Sequence, residues 1–150
     1  MSKLTDYGTV VMTYLARESN RVHAVSEIAA EVRVAAPTVS KVLKRLAHEG
    51  LVVSHRGAKG GYSLARPPQS ISMVEIIDAM EGRMALTECG STPGLCIQEP
   101  SCSVRTNWQR VNSVVRDALA GVSLADMAAP DVPRVAYVPA KISSRRMGAV

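Results

Sequence analysis

Residues 25–50 read VSEIAAEVRVAAPTVSKVLKRLAHEG and contain two short helical patterns separated by a break. The first pattern has apolar residues at helical spacing, and Ser26 is placed to cap its start. The letters RVAA at 33–36 interrupt the periodicity. The second pattern has Pro37 in its first turn, where a missing N–H is tolerated, and Gly50 directly after its end. Two short helices joined by such a tight turn predict a helix-turn-helix.

The second helix combines an apolar face with a polar and basic one. Its apolar face consists of Val39, Val42, Leu43 and Leu46. Its outer face consists of Thr38, Ser40, Lys41, Lys44, Arg45 and His48. An exposed helix of this width enters the DNA major groove, where hydroxyls reach base edges and amines reach phosphates. We therefore expect it to bind double-stranded DNA, with a plain helical hairpin and a solvated face as the alternative.

The segment that follows predicts a β-hairpin. Strands at 51–55 and 62–65 flank a glycine-rich turn. Arg56 and Lys59 lie at the tip, where they would contact phosphates or a minor groove. A basic-tipped hairpin directly after a recognition helix is the wing of a winged helix-turn-helix. The expected fold class is therefore mainly α with a small β-hairpin wing.

Charge is distributed unevenly along the chain of 150 residues, whose net charge is +5. Residues 1–66 carry ten Lys/Arg against five Asp/Glu, whereas residues 67–129 carry four against seven. This asymmetry predicts a polyanion-binding N-terminal half. The sequence has no apolar run as long as a membrane span and no signal-peptide pattern, so we expect a cytoplasmic protein with no membrane partner.

Further helices are predicted on both sides of the winged unit. The first covers about residues 6–18, and another follows Ser72 and Glu75, which form a capping-box pattern. A long helix at 103–122 carries a heptad-like seam of Val104, Trp108, Val111, Val115, Ala118 and Val122. A DNA reader of this size needs two-fold symmetry to read two half-sites, so the seam predicts a homodimer interface. A stripe facing the core of one subunit is the alternative.

The three cysteines of the chain, Cys89, Cys96 and Cys102, lie within fourteen residues. An odd number of thiols in a reducing compartment argues against a disulfide framework. The segment lacks the paired C-x₂-C units of zinc knuckles, and its glycines and prolines predict a loop rather than a helix. Several thiolates on such a loop fit an iron–sulfur cluster. A zinc site, a thiol–disulfide switch and unrelated buried cysteines are the alternatives.

The chain resembles the Rrf2 family of bacterial regulators over residues 1–128. The resemblance rests on LTDYGTVVMTYLAR at 4–17, on the helix-turn-helix, on RGAKGGYSLA in the wing, and on three thiols just before the long helix. The segments 4–16 and 107–128 look closest to the branch that regulates the SUF iron–sulfur assembly operon. The resemblance implies a homodimeric repressor that binds palindromic promoter DNA.

The resemblance also implies one iron–sulfur cluster per subunit, with 2Fe–2S favoured and 4Fe–4S the alternative. It implies that Cys89, Cys96 and Cys102 are the thiolate ligands. IscR-like members place a His ligand three residues after the last cysteine, where this chain has Arg105, which cannot ligate. NsrR-like members use an Asp near the N-terminus of the partner subunit, and Asp6 matches that motif. Asp6 is equally a good residue for a helix start, and Asn107 and His23 are weaker candidates.

We therefore expect a regulator of iron–sulfur assembly genes that senses cluster supply or oxidative stress. A zinc- or thiol-redox-regulated DNA-binding protein and an iron–sulfur carrier are the alternatives. We do not expect an enzyme, because no His, Asn or Asp is placed as a partner for a nucleophilic thiol. The expected units are a DNA-binding domain at 1–82, a cysteine loop at 83–103, dimerisation and packing helices at 104–129, and a flexible basic tail at 130–150.

Overall fold

The computed structural model describes residues 2–92 and 94–130. In this part the chain forms seven α-helices, two 3-10 turns and one antiparallel two-stranded sheet. The helices are α1 Lys3–Arg17, α2 Val25–Val32, α3 Ala36–His48, α4 Met73–Glu81, α5 Glu88–Ser91, α6 Arg105–Ala120 and α7 Leu124–Ala128. The strands are β1 Val52–His55 and β2 Gly61–Leu64, and the 3-10 turns are Pro68–Ser70 and Glu99–Ser101. This is the winged helix-turn-helix that the sequence predicts.

Helix α1 begins three residues earlier than the sequence pattern predicts. The hydroxyl of Ser2 accepts a hydrogen bond from the Thr5 N–H and caps the helix. The buried hydroxyl of Thr5 donates to the Glu81 carboxylate at the end of α4, over 2.5 Å. Gly8 then allows α1 and α4 to touch, since a Cβ there would lie 2.8 Å from Cγ of Met80. The true start is therefore fixed by a contact with α4.

The helix-turn-helix is confirmed, with one correction at its start. Helix α2 begins at Val25, so Ser26 lies inside the helix, and its predicted capping role is wrong. Arg33 ends α2 in the left-handed conformation, with a φ of 55°, and its N–H donates to the Ala29 carbonyl. Pro37 lies in the first turn of α3 and Gly50 follows its end with a φ of 74°, as predicted.

The wing is one residue shorter at β1 and shifted by one residue at β2 relative to the predicted strands. Val52 lies opposite Leu64, and His55 lies opposite Gly61. Two backbone hydrogen bonds of 2.8 Å also join His23 to Tyr62, so the wing is attached to the segment before α2. A Cβ on Gly61 would lie 2.1 Å from the His23 carbonyl oxygen, so this close approach requires glycine.

Helices α4 and α7 complete the core against α1 and α3. The predicted capping box of Ser72 and Glu75 is present, and Ser123 forms a second capping box with Asp126 at the start of α7. Helix α6 is held to α4 by an ion pair of 2.7 Å between Arg116 and Asp78. The largest fully buried side chains are mainly aliphatic or methionine, because the chain has no Phe.

The cysteine segment differs from the predicted irregular loop. Residues Glu88–Ser91 form one helical turn, in which the Thr92 N–H donates to the Glu88 carbonyl over 3.2 Å, and Glu99–Ser101 form a 3-10 turn. Of the predicted flexible tail, residues 131–150 lie outside the described residues. Among the described helices, none combines the length and the apolar character needed to cross a membrane.

Candidate nucleic-acid interface and cysteine loop

Helix α3 presents the predicted polar face to solvent. Val39, Val42, Leu43 and Leu46 are completely buried. Because this apolar face is held by the core, the opposite face is fixed outward: Lys41 and Lys44 are exposed, and Thr38 and Ser40 are half-buried. Neither lysine forms an ion pair within the described part of the chain. Their charges are therefore available to phosphate groups.

Two residues assigned to the outer face of α3 have intramolecular partners instead. Nε of Arg45 donates to the Ala79 carbonyl at the end of α4, over 2.9 Å. His48 is exposed, and its Nδ1 lies 3.0 Å from the Glu49 carboxylate. Arg45 therefore holds α3 against α4, and this contact could not be seen in the helical pattern because Ala79 lies 34 residues further along the chain.

The wing tip carries Arg56 and Lys59, and both are exposed. Gly57 has a φ of 105°, and a Cβ on Gly60 would lie 2.5 Å from the His55 carbonyl oxygen, so both glycines are needed for the turn. Among the described residues, Arg56 and Lys59 form no ion pair. The four unpaired cations of α3 and the wing make these elements a candidate nucleic-acid interface.

A polar network beneath α2 was not predicted from the sequence. The Tyr14 hydroxyl donates to Glu27 over 2.9 Å, and Arg21 binds both oxygens of the same carboxylate. These hydrogen bonds, first from Arg21 and then from Tyr14, lower the pKa of Glu27 to about 2. His23 is buried with its ring edge against Tyr14, and its Nε2 lies 3.0 Å from the Glu18 carbonyl oxygen. The network fixes α2 to α1.

The cysteine segment carries two accessible thiols in the described part of the chain. Cys96 and Cys102 are free and half-buried. The backbone of Cys89 lies in α5, but its side chain lies outside what the structure describes. Within one subunit, no three His, Cys, Asp or Glu side chains among the described residues converge as a metal site. Asp6 is exposed in the first turn of α1.

The two weaker ligand candidates have different environments. Asn107 is exposed near the start of α6. His23 is buried in the network beneath α2, where its ring contacts Tyr14 and lies against the Glu18 carbonyl group. The structure therefore gives His23 a packing role between α1 and α2.

An ion pair inside the cysteine loop was also missed by the sequence pattern. Glu99 is only 8% exposed, and its carboxylate lies 2.6 Å from Nη2 of Arg105. The second oxygen of this carboxylate accepts the Gly94 N–H over 2.6 Å. A cavity of about 470 Å³ is lined by Gly94, Cys96, Ile97, Glu99, Pro100 and Arg105. The only hint in the sequence was that each charged residue follows a cysteine by three positions.

Two features of this cavity suit an iron–sulfur cluster, although Cys102 is not among its lining residues. Cys96 supplies a free thiol, and Nε of Arg105 is buried without a hydrogen-bond partner in the described part of the chain. A buried N–H without an acceptor is costly, and a thiolate or an inorganic sulfide would accept it. Cys89, Cys96 and Cys102 are the residues that would supply the thiolates.

The predicted seam on α6 is mostly unburied in the single chain. Val104, Trp108 and Val111 are between 41 and 47% exposed. Of the other predicted seam residues, Val115 is half-buried and Ala118 is exposed, whereas Val122 packs against the hydrophobic core and is a correction to the seam. Val114, which the predicted seam did not include, is 47% exposed and belongs to this apolar face. The α6 face is defined here as Val104, Trp108, Val111 and Val114.

The opposite side of α6 contacts the segment that leads to the cysteines. Oδ1 of the buried Asn112 accepts the Leu86 N–H over 2.8 Å. Gly90 lies so close to Asn112 that a Cβ there would be 2.0 Å from Nδ2. One turn further along α6, Arg116 binds Asp78 and the Met84 carbonyl group. Helix α6 therefore connects the cysteine segment to α4.

The chain is similar in sequence to a family of transcriptional regulators and to individual regulators of bacteria. The Rrf2 family model, described as an iron-dependent transcriptional regulator, matches residues 1–130. The HTH-type transcriptional regulator NsrR of Shouchella clausii is 29% identical over 122 residues, which are 80% of this chain and 77% of that protein.

Two solved structures share the fold. The global cysteine regulator CymR of B. subtilis superposes with a TM-score of 0.67 and 27% identity, covering 85% of this chain and 95% of that chain. The structure of T. potens IscR gives a TM-score of 0.64 and 28% identity, covering 85% of this chain and 84% of that chain.

Proposed function

Because this chain belongs to the Rrf2 family of transcriptional regulators, we propose that it represses iron–sulfur assembly genes under the control of a bound iron–sulfur cluster. The signal in this proposal is cluster supply or oxidative stress. The observation that carries it is the position of the cysteine segment. Hydrogen bonds join this segment to α6, and further hydrogen bonds join α6 to α4 of the DNA-binding head, residues 1–82. A cofactor held by that segment is therefore connected to the elements that read DNA.

The DNA-binding part of the proposal uses α3 and the wing. Helix α3 enters the major groove, where Thr38 and Ser40 read base edges and Lys41 and Lys44 contact phosphates. The wing tip contacts phosphates or a minor groove through Arg56 and Lys59. The exposure of these four cations and their lack of ion pairs within the described residues support this assignment.

The proposed active form is a homodimer on palindromic promoter DNA, with the SUF assembly operon as the target. The α6 face supports this, because a second copy of the chain would cover four apolar side chains that one subunit leaves exposed. The proposed units are the head at 1–82, the cysteine loop at 83–103 and the dimerisation unit at 104–129.

The proposed cluster site combines Cys89, Cys96 and Cys102 with the partner subunit's Asp6. When bound, an iron–sulfur cluster supplies a redox-active and oxidant-sensitive centre, of the 2Fe–2S or the 4Fe–4S type. A carboxylate oxygen is a harder ligand than a thiolate, which makes that position the easiest to displace. The exposure of Asp6 at the start of α1 leaves it free to reach another subunit.

A contiguous route of contacts joins the cysteine segment to the recognition helix. Asn112 and Arg116 on α6 bind the chain before the cysteines and Asp78 on α4, respectively. Ala79, the next residue of α4, accepts the hydrogen bond from Arg45 of α3. In this proposal cluster binding changes DNA affinity, so by thermodynamic linkage DNA binding changes cluster affinity by the same factor.

Oxygen-free purification tests the proposal. We expect absorption in the visible range with stoichiometric iron and sulfide, and promoter binding that differs between loaded and apo protein by about 5–150-fold. Replacing Cys89, Cys96 and Cys102 together by Ala should abolish both the cluster and this difference. Identical promoter binding by the loaded protein and the triple variant would contradict cluster control.

The fourth ligand requires a separate experiment. Asp6→Ala should change the absorption spectrum of the cluster and accelerate its loss, because one coordination position opens to solvent. Asn107→Ala, at the weaker candidate position, should leave the spectrum unchanged. A wild-type spectrum in the Asp6 variant would remove this residue from the site.

Thiol or zinc control is the second candidate function, and one observation favours it. Cys96 and Cys102 are free and half-buried, so they are accessible to oxidants and metals. The similar CymR structure is described as that of a cysteine regulator. A colourless protein that contains zinc, or one whose DNA binding responds to disulfide formation alone, would support this function. An iron–sulfur carrier, in contrast, would bind the cluster but not promoter DNA.

A further inference from the structure

Cys96 and Cys102 each begin a turn, and each turn ends in a charged residue, Glu99 or Arg105. The Glu99 N–H donates to the Cys96 carbonyl over 3.0 Å, and the Arg105 N–H donates to the Cys102 carbonyl over 3.3 Å. The side chains at the ends of these turns then pair, with 2.6 Å between Arg105 Nη2 and the Glu99 carboxylate. One ion pair therefore joins the turn of Cys96 to the turn of Cys102.

The carboxylate of the pair is buried in the loop, whereas the Arg105 side chain is 41% exposed. Glu99 is 8% exposed, and its second oxygen accepts the Gly94 N–H over 2.6 Å, which closes the segment before Cys96 onto the same carboxylate. Both oxygens of Glu99 thus have partners, and removing Arg105 would leave a buried carboxylate uncompensated. Water screens part of the attraction at the exposed guanidinium, so the buried carboxylate is the half of the pair that the loop holds in place.

Arg105 has one donor that the pair does not use. Its Nε is buried and has no hydrogen-bond partner in the described part of the chain, and Arg105 lines the same cavity as Cys96. Helix α6 begins at Arg105, so the backbone of this residue is fixed by the start of the helix. A buried N–H without an acceptor, in a cavity that a thiol also lines, marks a position for an acceptor that arrives with a ligand.

We propose that Glu99 and Arg105 are positioning residues of the cluster site. Their ion pair sets the separation of Cys96 and Cys102, and the Arg105 Nε–H donates to a sulfur atom of the bound cluster. This inference rests on the proposed function, since it requires that a cluster binds. In this inference Arg105 lies beside the cluster and donates a hydrogen bond to it, but does not bind iron.

Two variants separate the two roles. Glu99→Gln keeps an oxygen for the Gly94 N–H but removes the ion pair, so iron release from the reduced cluster to a ferrous chelator should be about tenfold faster than in the wild type. Arg105→Lys keeps the positive charge opposite Glu99 but removes Nε. It should release iron less than about threefold faster, yet lower the midpoint potential of the cluster, because a hydrogen bond to sulfur is lost.

Pulsed electron paramagnetic resonance identifies the donor directly. Protein grown with arginine labelled with ¹⁵N at Nε should show a nitrogen coupling to the reduced cluster, and Arg105→Lys should abolish it. Arg110→Lys is the matched control, because Arg110 is exposed on the same helix. It should retain the coupling, the potential and the iron-release rate of the wild type.

The outcomes distinguish this inference from the proposed function. A wild type that binds iron and sulfide, with unchanged release and unchanged coupling in both variants, would overturn the inference alone. A wild type without iron and sulfide would overturn the proposed function and the inference with it. Thermal denaturation of each apo variant checks folding, and Arg105→Lys keeps the test decisive if Glu99→Gln fails to fold.

Discussion

Glu27 is the residue on which the attachment of α2 to α1 depends. Its carboxylate accepts hydrogen bonds from Arg21 and Tyr14, which lie on the segment before α2 and on α1. His23 fills the space beside it, with Nδ1 3.5 Å from the same carboxylate. Because α3 follows α2 through a three-residue turn, the orientation of the recognition helix depends on this network.

The lowered pKa of Glu27 predicts how the stability of the head depends on pH. The pKa is about 2 in the folded state against an ordinary value of 4.5. A lowered folded-state pKa contributes stability that is fully present above pH 4.5 and is lost as the pH falls towards 2. Urea denaturation of Glu27→Gln should therefore show lower stability at pH 6 and a smaller loss between pH 5 and about 2.5 than in the wild type.

Glu31→Gln is the control for this prediction, because Glu31 is exposed on the same helix and has no ion pair within the described residues. It should follow the wild-type pH profile. If Glu27→Gln followed that profile as well, the carboxylate would not contribute to the acid sensitivity of the head.

At the scale of elements, α3 carries two kinds of cation that different measurements separate. Lys41 is exposed and unpaired in the described part of the chain, so Lys41→Ala should weaken binding to all DNA sequences alike. The slope of log affinity against log salt should fall by about 1, because one phosphate contact is lost. The stability of the free protein should not change.

Arg45 provides the matched comparison on the same helix. Arg45→Ala removes the hydrogen bond to the Ala79 carbonyl group and should lower the free energy of unfolding by about 1 kcal/mol. The salt slope should remain that of the wild type. An unchanged slope for Lys41→Ala, or a reduced slope for Arg45→Ala, would contradict this assignment of the two residues.

The α6 face makes a prediction about assembly. Val111→Lys should raise the dissociation constant of the dimer by about a hundredfold, because a buried charge without a partner costs about 3 kcal/mol or more. Sedimentation velocity over a concentration series measures this change. Gln109→Lys, at an exposed neighbouring position, should leave the association unchanged. A dimer of Val111→Lys as stable as the wild type would place the interface on another surface.

The elements could be predicted from the sequence where local hydrogen bonds and helical periodicity decide the structure. Ser72 and Glu75 cap α4 within their own turn, and the four buried residues of α3 keep helical spacing. Ser26 was misassigned because α2 begins after His23, which is held extended by its backbone bonds to Tyr62. His23 and Tyr62 lie far apart in the sequence, so no local sequence pattern could predict their contact.

The candidate site was predictable in its residue types but not in its geometry. The thiols and the basic helix are visible in the sequence, because each depends on residues close together along the chain. The roles of Arg45 and Asn112 are not visible, since their partners lie 34 and 26 residues away. The Glu99–Arg105 pair is local, yet it was missed because the segment was predicted to lack regular turns.

At the scale of the whole molecule, adjacent residues of α4 connect the two functional regions. Asp78 binds Arg116 of α6, and Ala79 binds Arg45 of α3. Burial alone would raise the pKa of Asp78, but the hydrogen bonds from Arg116 and from the Met84 N–H hold it below its ordinary value. The carboxylate therefore remains charged near neutral pH and keeps α6 attached to the head.

The contact between α6 and α4, formed by Arg116 and Asp78, allows a test that separates cluster binding from the effect of the cluster on DNA affinity. Arg116→Gln removes the ion pair to Asp78 and the hydrogen bond to the Met84 carbonyl group, but it changes neither the cysteines nor the outer face of α3. The iron and sulfide content of this variant should match that of the wild type. The ratio between the promoter affinities of the loaded and apo forms should fall to about twofold or less. The reason is that the contact proposed to transmit the coupling free energy of about 1–3 kcal/mol is lost.

Titration of a promoter duplex with loaded and apo protein gives this ratio, and thermal denaturation shows whether the variant is folded. Arg110→Gln, exposed on the same helix and without an ion pair among the described residues, should keep the full ratio. A full ratio in Arg116→Gln would show that the signal does not travel through the junction of α6 and α4. The proposed coupling between cluster and DNA would then have to arise at the proposed dimer interface alone, where a ligand from the partner subunit acts without this contact.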